Sequence, residues 1–359
     1  MKKTICRLAL MAALTLIGSH ALAESGSIKL QHAGPLAFAP DGVLLIGDTA
    51  AATLYAVETK DTKALADKGR INLKQVNSKI AAALGTSADN ILINDMTVNP
   101  LSGKAYLSVS RGTGPDAMPV VLTISPSGDI AELSLNDVAY TKAALPNAPA
   151  KDATDSRGRS TRQLSITDMS YHNGKVVIAG LSNEEFASNL RMLDFPFKSV
   201  NKGTAVEIYH GNHGAWETRS PVSTFTTVNI DGTDYVIAAY TCTPLVLFPM
   251  DALKDTSKVN GITVAELGAR NRPLDMFVYG EPGNQSILMS NSTYGIMKIS
   301  MKDITKADAI TARVGGTAGQ EFETIEELKG VVQLAQVGNG ALAIIYNEGS
   351  LDLRSIDLP

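Results

Sequence analysis

The chain has 359 residues, 44% of them hydrophobic and 19% charged, with 32 basic and 36 acidic side chains for a net charge of −4. That is enough apolar material for a large core, in one big β domain or in two domains. The acidic balance argues against nucleic acid as a partner, because neutralising phosphates needs a basic face.

The first element is a targeting signal. Lys2, Lys3 and Arg7 precede an apolar run over 8–17 that only Thr15 interrupts, and Ala21-Leu22-Ala23 follows Gly18 and Ser19. A positive start, a short apolar core and a small-x-small end are the parts of a secretory signal, and this core is too short to span a membrane. Residues 1–23 are therefore expected to be removed, leaving 24–359 as the working protein, secreted or periplasmic and without a later membrane segment. The segment holds three basic and no acidic residues, so the remaining 336 residues carry 29 basic against 36 acidic, a net charge of −7. Cys6 is lost with it. Cys242 alone remains, which excludes an intramolecular disulfide and any CxxC redox or zinc site.

Six units of one pattern follow: an apolar strand, a tight turn, and a second apolar strand that ends in small polar residues. Residues 36–38 turn through Pro40-Asp41-Gly42 into 43–47, and 96–99 turn at Ser102-Gly103 into 105–109. Residues 169–172 turn at Asn173-Gly174 into 176–180, and 226–230 turn at Asp231-Gly232 into 235–240. Residues 276–279 turn near Gly283-Asn284 into 287–289, and 331–336 turn at Gly338-Asn339-Gly340 into 341–346. These turn residues supply positive φ or cap the turn, which makes each pair a hairpin. Third strands are expected at 54–57, 120–124, 205–209, 245–248, 295–299 and 350–355. Fourth strands are expected at 70–73, 130–133, 215–219, 264–267 and 309–314. The last unit has no chain left for its own fourth strand, and 27–31 is expected to supply it and close the ring.

The pattern reads as a single all-β domain, a β-propeller of six four-stranded blades, with a seventh degenerate unit left open. A two-sheet sandwich accommodates six hairpin units and a closing strand poorly. The repeat interval is longer than a standard blade, so insertions are placed at 136–162, starting helically, and at 182–202; residues 77–84 read as a short helix. The blade pattern resembles the secreted propellers that include lactonase-like, NHL-like and amine-dehydrogenase-like rings. The resemblance covers residues 24–359 and implies a fold only. No Gly-His…Trp-Asp signature occurs, and Trp216 is the one tryptophan.

Propeller geometry puts the start of each inner strand and the end of each second strand on one rim. Asp95, Asp168 and Asp275, each followed by Met, hold the same place in three units. Three carboxylates at a channel mouth suit a hard cation such as Ca²⁺, or acid/base work. They equally suit loop amides that need an acceptor. Asn291 and Asn347, and Asp48 in the first unit, end second strands there and could add oxygen ligands or cap turns. Cys242 falls on the same rim as a nucleophile, a soft-metal ligand or an inert buried thiol. Arg111, Arg157, Arg159, Arg162, Arg270 and Arg272 lie in loops over that face and suit anionic groups. Ser182-Asn183-Glu184-Glu185 reads as a capping box opening a short helix, leaving Asn183 and Glu184 facing the rim. His210 and His213 with Glu217 look like a ligand set, but a turn between third and fourth strands would put them on the opposite rim, as surface histidines.

No glycine-rich phosphate loop, G-x-S-x-G elbow or H-E-x-x-H occurs. The expected function is binding of a small molecule or another exported protein through the loop-rich rim, with a metal-dependent enzyme, a lactonase-like hydrolase or an oxidoreductase, as the alternative.

Overall fold

The computed structural model describes residues 24–359 apart from 242, 243 and 255–257. The signal segment and Cys242 thus lie outside the described residues. The protein is a six-bladed, all-β propeller: six sheets, antiparallel except where Val259–Asn260 pairs parallel to Thr204–His210, arranged around a central channel. Blades are numbered here by the order in which their inner hairpins occur in the chain.

Each inner hairpin forms where the turn residues put it. Asp41, Asn173 and Asp231 adopt positive φ, as do Gly103, Gly174, Gly232 and Gly338. Second strands such as Val43–Asp48 and Gly340–Asn347 run through the middle of their blades and are buried over most of their length. Because both faces of a blade meet a neighbour, these strands read as continuous apolar runs rather than alternating ones.

The order of blades around the ring differs from their order in the chain. Blade two sits between blades six and one: Met96, Leu107 and Leu122 share a core with Leu342, Ile344 and Leu353, while Tyr106 and Val121 pack with Leu36, Leu44 and Ile46. Blade one meets blade three on its other side, through Leu45 and Leu54 against Met169, Val176 and Ile178. The ring therefore runs two, one, three, four, five, six and back to two.

This order requires two interleaved closures. Residues 59–71 leave blade one, pass across the turn end of blade two, and deliver Asn72–Leu73 as the outer strand of blade six, opposite Leu353 and Arg354. The chain then builds blade two and returns with Val138–Ala144 as the fourth strand of blade one. The first described strand, Glu24–Gly26, pairs outside that as a fifth. The crossing strap is pinned by Asp61, whose Oδ2 accepts hydrogen bonds from Ser102 Oγ (2.7 Å), Asn99 Nδ2 (3.0 Å) and the Tyr106 hydroxyl (3.1 Å). The short helix Val76–Ala83 follows the strap and buries Val76 and Ile80 beneath blades two and six.

Several sequence expectations change here. Blade six is closed not by 27–31, ahead of the first unit, but by Asn72–Leu73, which follows the first three strands of blade one, and 70–73 is therefore not the fourth strand of blade one. The segment after 136 is extended, not helical, because it completes a neighbouring sheet: Val138, Thr141 and Ala143 are buried at alternate or near-alternate positions. The 182–202 insertion contains Ser188–Asp194, the third strand of blade three, so Thr204–His210 is the fourth strand and Ala215–Glu217 a fifth. The proposed capping box is instead the hairpin turn before that third strand, closed by Ser182 N–H to Ala187 O at 2.8 Å. Residues 309–314 form no strand; Phe322–Ile325 is the fourth strand of blade five, and Thr317–Gly319 adds a fifth to blade four.

Candidate functional site

Asp95, Asp168 and Asp275 lie together on the inner strands around the channel. Asp95 and Asp275 directly follow register shifts in their strands, at Ile93/Asp95 and Pro273/Asp275. A bulge of this kind re-aims a side chain. Each carboxylate reaches the inner strand of the next blade in the ring. Asp95 accepts from Leu36 N–H at 2.6 Å, joining blades two and one. Asp168 accepts from Phe225 N–H at 2.8 Å and Thr224 Oγ1 at 2.9 Å, joining three and four. Asp275 accepts from Leu334 N–H at 2.8 Å, joining five and six. The six blades are thus clasped as three pairs.

Burial pushes the Asp168 carboxyl up to about 6 against the pull of these hydrogen bonds. Burial also raises Asp95, with the charge of Asp168 adding to it, and raises Asp275 further because both other aspartates face it. A cavity of about 260 Å³ begins at the three carboxylates and continues along the inner strands past Tyr171, Thr226, Phe277 and Gln336. It therefore extends from the aspartates toward the rim opposite the one where the sequence places the loops.

Several of the other rim residues are occupied within the fold. Asp48 accepts from Gln31, His32 and Ala51 N–H groups at 2.7–3.1 Å. Asn291 donates to Asn271 Oδ1 (2.9 Å) and accepts from Thr293 and Tyr294 N–H. Asn347 donates to Asp352 Oδ2 at 3.2 Å. Arg162 donates to the carbonyls of Ala50, Ala51 and Pro149, and Arg159 pairs with Asp155. Arg111 ends the second strand of blade two, half-buried, and Asn183 is exposed in the blade-three hairpin turn.

The cluster that comes together most closely is His210, His213 and Glu217, which the four-stranded pattern puts on the opposite rim. The extra strand in blade three reverses the direction of Thr204–His210 and Ala215–Glu217. His210 ends a fourth strand and Glu217 lies on a fifth, so their turn falls on the same rim as the inner-strand starts, beside Thr241 of blade four. His210 Nδ1 lies 3.0 Å and His213 Nδ1 2.6 Å from Glu217 Oε1, and the two rings lie 3.8 Å apart. Ser220 Oγ donates to the other oxygen, Oε2, at 2.8 Å. Burial alone would raise Glu217, but the hydrogen bonds from His210, His213 and Ser220 outweigh it and hold the carboxyl down to about 2.

Among the described residues, this is the one group of three such side chains whose ligand atoms all lie within 4.8 Å of one another. The cluster can coordinate a metal ion; the three channel aspartates are not drawn together in that way. Behind it, Glu266 is fully buried, accepts from Gly211 N–H (2.5 Å) and Asn212 Nδ2 (2.9 Å), and is raised by its burial. Gly211 has no room for a side chain, since a Cβ would lie 2.7 Å from Val314 Cγ2. The signal that could have found the site was present in His-x-x-His-x-x-x-Glu; what hid it was the strand parity.

No family model matches the chain, and no curated protein matches it. Solved structures similar to it include Drosophila Plexin A in complex with Semaphorin 1b (TM-score 0.43, 10% identity, covering 94% of this chain and 87% of that one). Drosophila Semaphorin 1b extracellular domains 1–2 give a TM-score of 0.40 at 10% identity, with 94% and 87% covered. The PQQ-bound aldose sugar dehydrogenase of Streptomyces coelicolor gives 0.38 at 10% identity, with 94% and 97% covered. Among the described residues no helix is long and apolar enough to cross a membrane.

Proposed function

We propose that this is an exported binding propeller whose rim site, at the seam of blades three and four, holds a transition metal through His210, His213 and Glu217. The convergence of two imidazole nitrogens and one carboxylate oxygen within 4.8 Å carries the reading. Two nitrogens and one oxygen suit Zn²⁺ and its neighbours better than Ca²⁺, which prefers six or more oxygens. A cleft of about 410 Å³ adjoins the cluster, so a bound ion would be reachable from outside. Calorimetric titration of the purified, chelator-treated protein with Zn²⁺ tests this. One site per chain is expected, absent in His213→Ala; His213 is exposed, so its removal spares the core. Equal binding by the variant would overturn the assignment.

A second reading concerns the channel. Its cavity, floored by Asp95, Asp168 and Asp275, would suit a small ligand that donates hydrogen bonds or carries positive charge. Protection of the Asp168 carboxyl in NMR titrations on adding such an amine would support it.

A further inference from the structure

We infer that the rim site, when it carries its metal, takes a small carboxylate ligand with an apolar body, held between the metal and Arg219 and resting on Trp216. The inference deepens the metal reading and rests on it.

The geometry of Glu217 comes first. Its Oε2 is engaged by Ser220 at 2.8 Å, while Oε1 alone faces the two histidines. A carboxylate held this way contributes one oxygen, so the protein supplies three ligand atoms in all. A tetrahedral ion with three protein ligands keeps a fourth position for an external ligand.

That position meets the cleft lined by Trp216, Thr218, Arg219, Ser220 and Thr241. Two neutral imidazoles and one carboxylate leave a divalent ion incompletely neutralised. Arg219 is exposed on the same cleft, and among the described residues its guanidinium makes no hydrogen bond or ion pair. The acidic group behind the cluster, Glu266, is fully buried with its Oε2 3.9 Å from His210 Nε2 and does not line the cleft, so Arg219 is the charged side chain at the mouth. The cleft would be positive in a chain that is acidic as a whole, and both a metal and a guanidinium favour carboxylate oxygens.

Trp216 supplies the other half of the recognition. It is 48% exposed, an uncommon place for the only tryptophan, and is fixed edge-on against Tyr209 with ring centroids 5.5 Å apart. A held aromatic face beside a positive site suits a ligand with an apolar or aromatic portion.

The test uses Co²⁺ as a visible metal and benzoate, acetate and benzylamine as probes, followed by the visible absorption of the bound ion. Benzoate at millimolar concentration is expected to change the Co²⁺ spectrum, acetate more weakly and benzylamine not at all. Arg219→Ala is expected to weaken benzoate by about tenfold, the loss of one charge-assisted contact, with Co²⁺ affinity unchanged. Trp216→Ala is expected to make benzoate and acetate equal. If Co²⁺ binds but benzoate leaves its spectrum unchanged, or if Arg219→Ala has no effect, the carboxylate ligand is overturned and the metal reading stands. If Co²⁺ does not bind at all, both fall.

Discussion

Asp168→Asn removes one of the three neighbouring charges at the channel. In the folded protein the Asp168 carboxyl sits at about 6 instead of its ordinary 3.8, with burial as the main cause. The native state therefore holds the proton longer than the unfolded chain does. This contribution to stability is fully present below the unfolded value and is lost as pH rises through about 6. The difference corresponds to on the order of 3 kcal/mol. It is an upper figure, since the residue keeps some contact with water in the channel cavity. Urea unfolding of the metal-free protein and of Asp168→Asn at pH 4.5 and pH 7.5 gives the comparison. Comparing the change with pH, rather than either stability alone, cancels any hydrogen bond that the amide fails to replace. The wild-type chain should lose up to about 2 kcal/mol more than the variant over that interval, because at pH 4.5 the unfolded carboxyl is already largely ionised. The same loss in both proteins would refute the account of a desolvated carboxylate.

The remaining expectations concern the closures and the rim. Asp61→Ala removes the acceptor of three hydrogen bonds and leaves the buried Tyr106 hydroxyl without it, so unfolding should be easier by about 2–4 kcal/mol in a urea titration; a change within error would mean that the strap is not held there. Gly180→Ala would bring a Cβ to 2.2 Å from Ser165 O, a backbone atom, and should cost about 1–3 kcal/mol, read as a fall in Tm. Glu217→Gln should abolish Zn²⁺ binding by calorimetry while leaving the far-ultraviolet circular dichroism of the propeller unchanged.

The hairpins were legible in the sequence because their turns are written in residues with a conformational reason to be there: Pro40-Asp41-Gly42, Asn173-Gly174, Asp231-Gly232. The repeated inner pairs carry the six-blade count, and the structure bears it out. The outer strands were less legible. Val138–Ala144 belongs to a sheet built nearly eighty residues earlier in the chain, and Ser188–Asp194 carries Asn189 and Arg191 in a buried strand. Arg191 is tolerated there because Asn147 Oδ1 and the carbonyls of Asn201 and Lys202 surround it. A local reading of polarity takes such a segment for a loop.

That one strand decided the site. Without it, His210, His213 and Glu217 fall on the opposite rim; with it, they share the rim of the inner-strand starts. The aspartates do meet at the channel, as the unit alignment anticipates, and their visible work is to clasp neighbouring blades. Their alignment across three units was readable; that each reaches the next blade depends on the order of blades in the ring, which no single unit encodes.

The claim that the rim cluster is a metal centre is tested most directly by crystals grown with Zn²⁺ and measured at the zinc absorption edge. One anomalous peak among His210, His213 and Glu217, bonded at about 2.0–2.2 Å to each, is the expected result. A peak on the channel axis between Asp95, Asp168 and Asp275, with none at the rim, would contradict it.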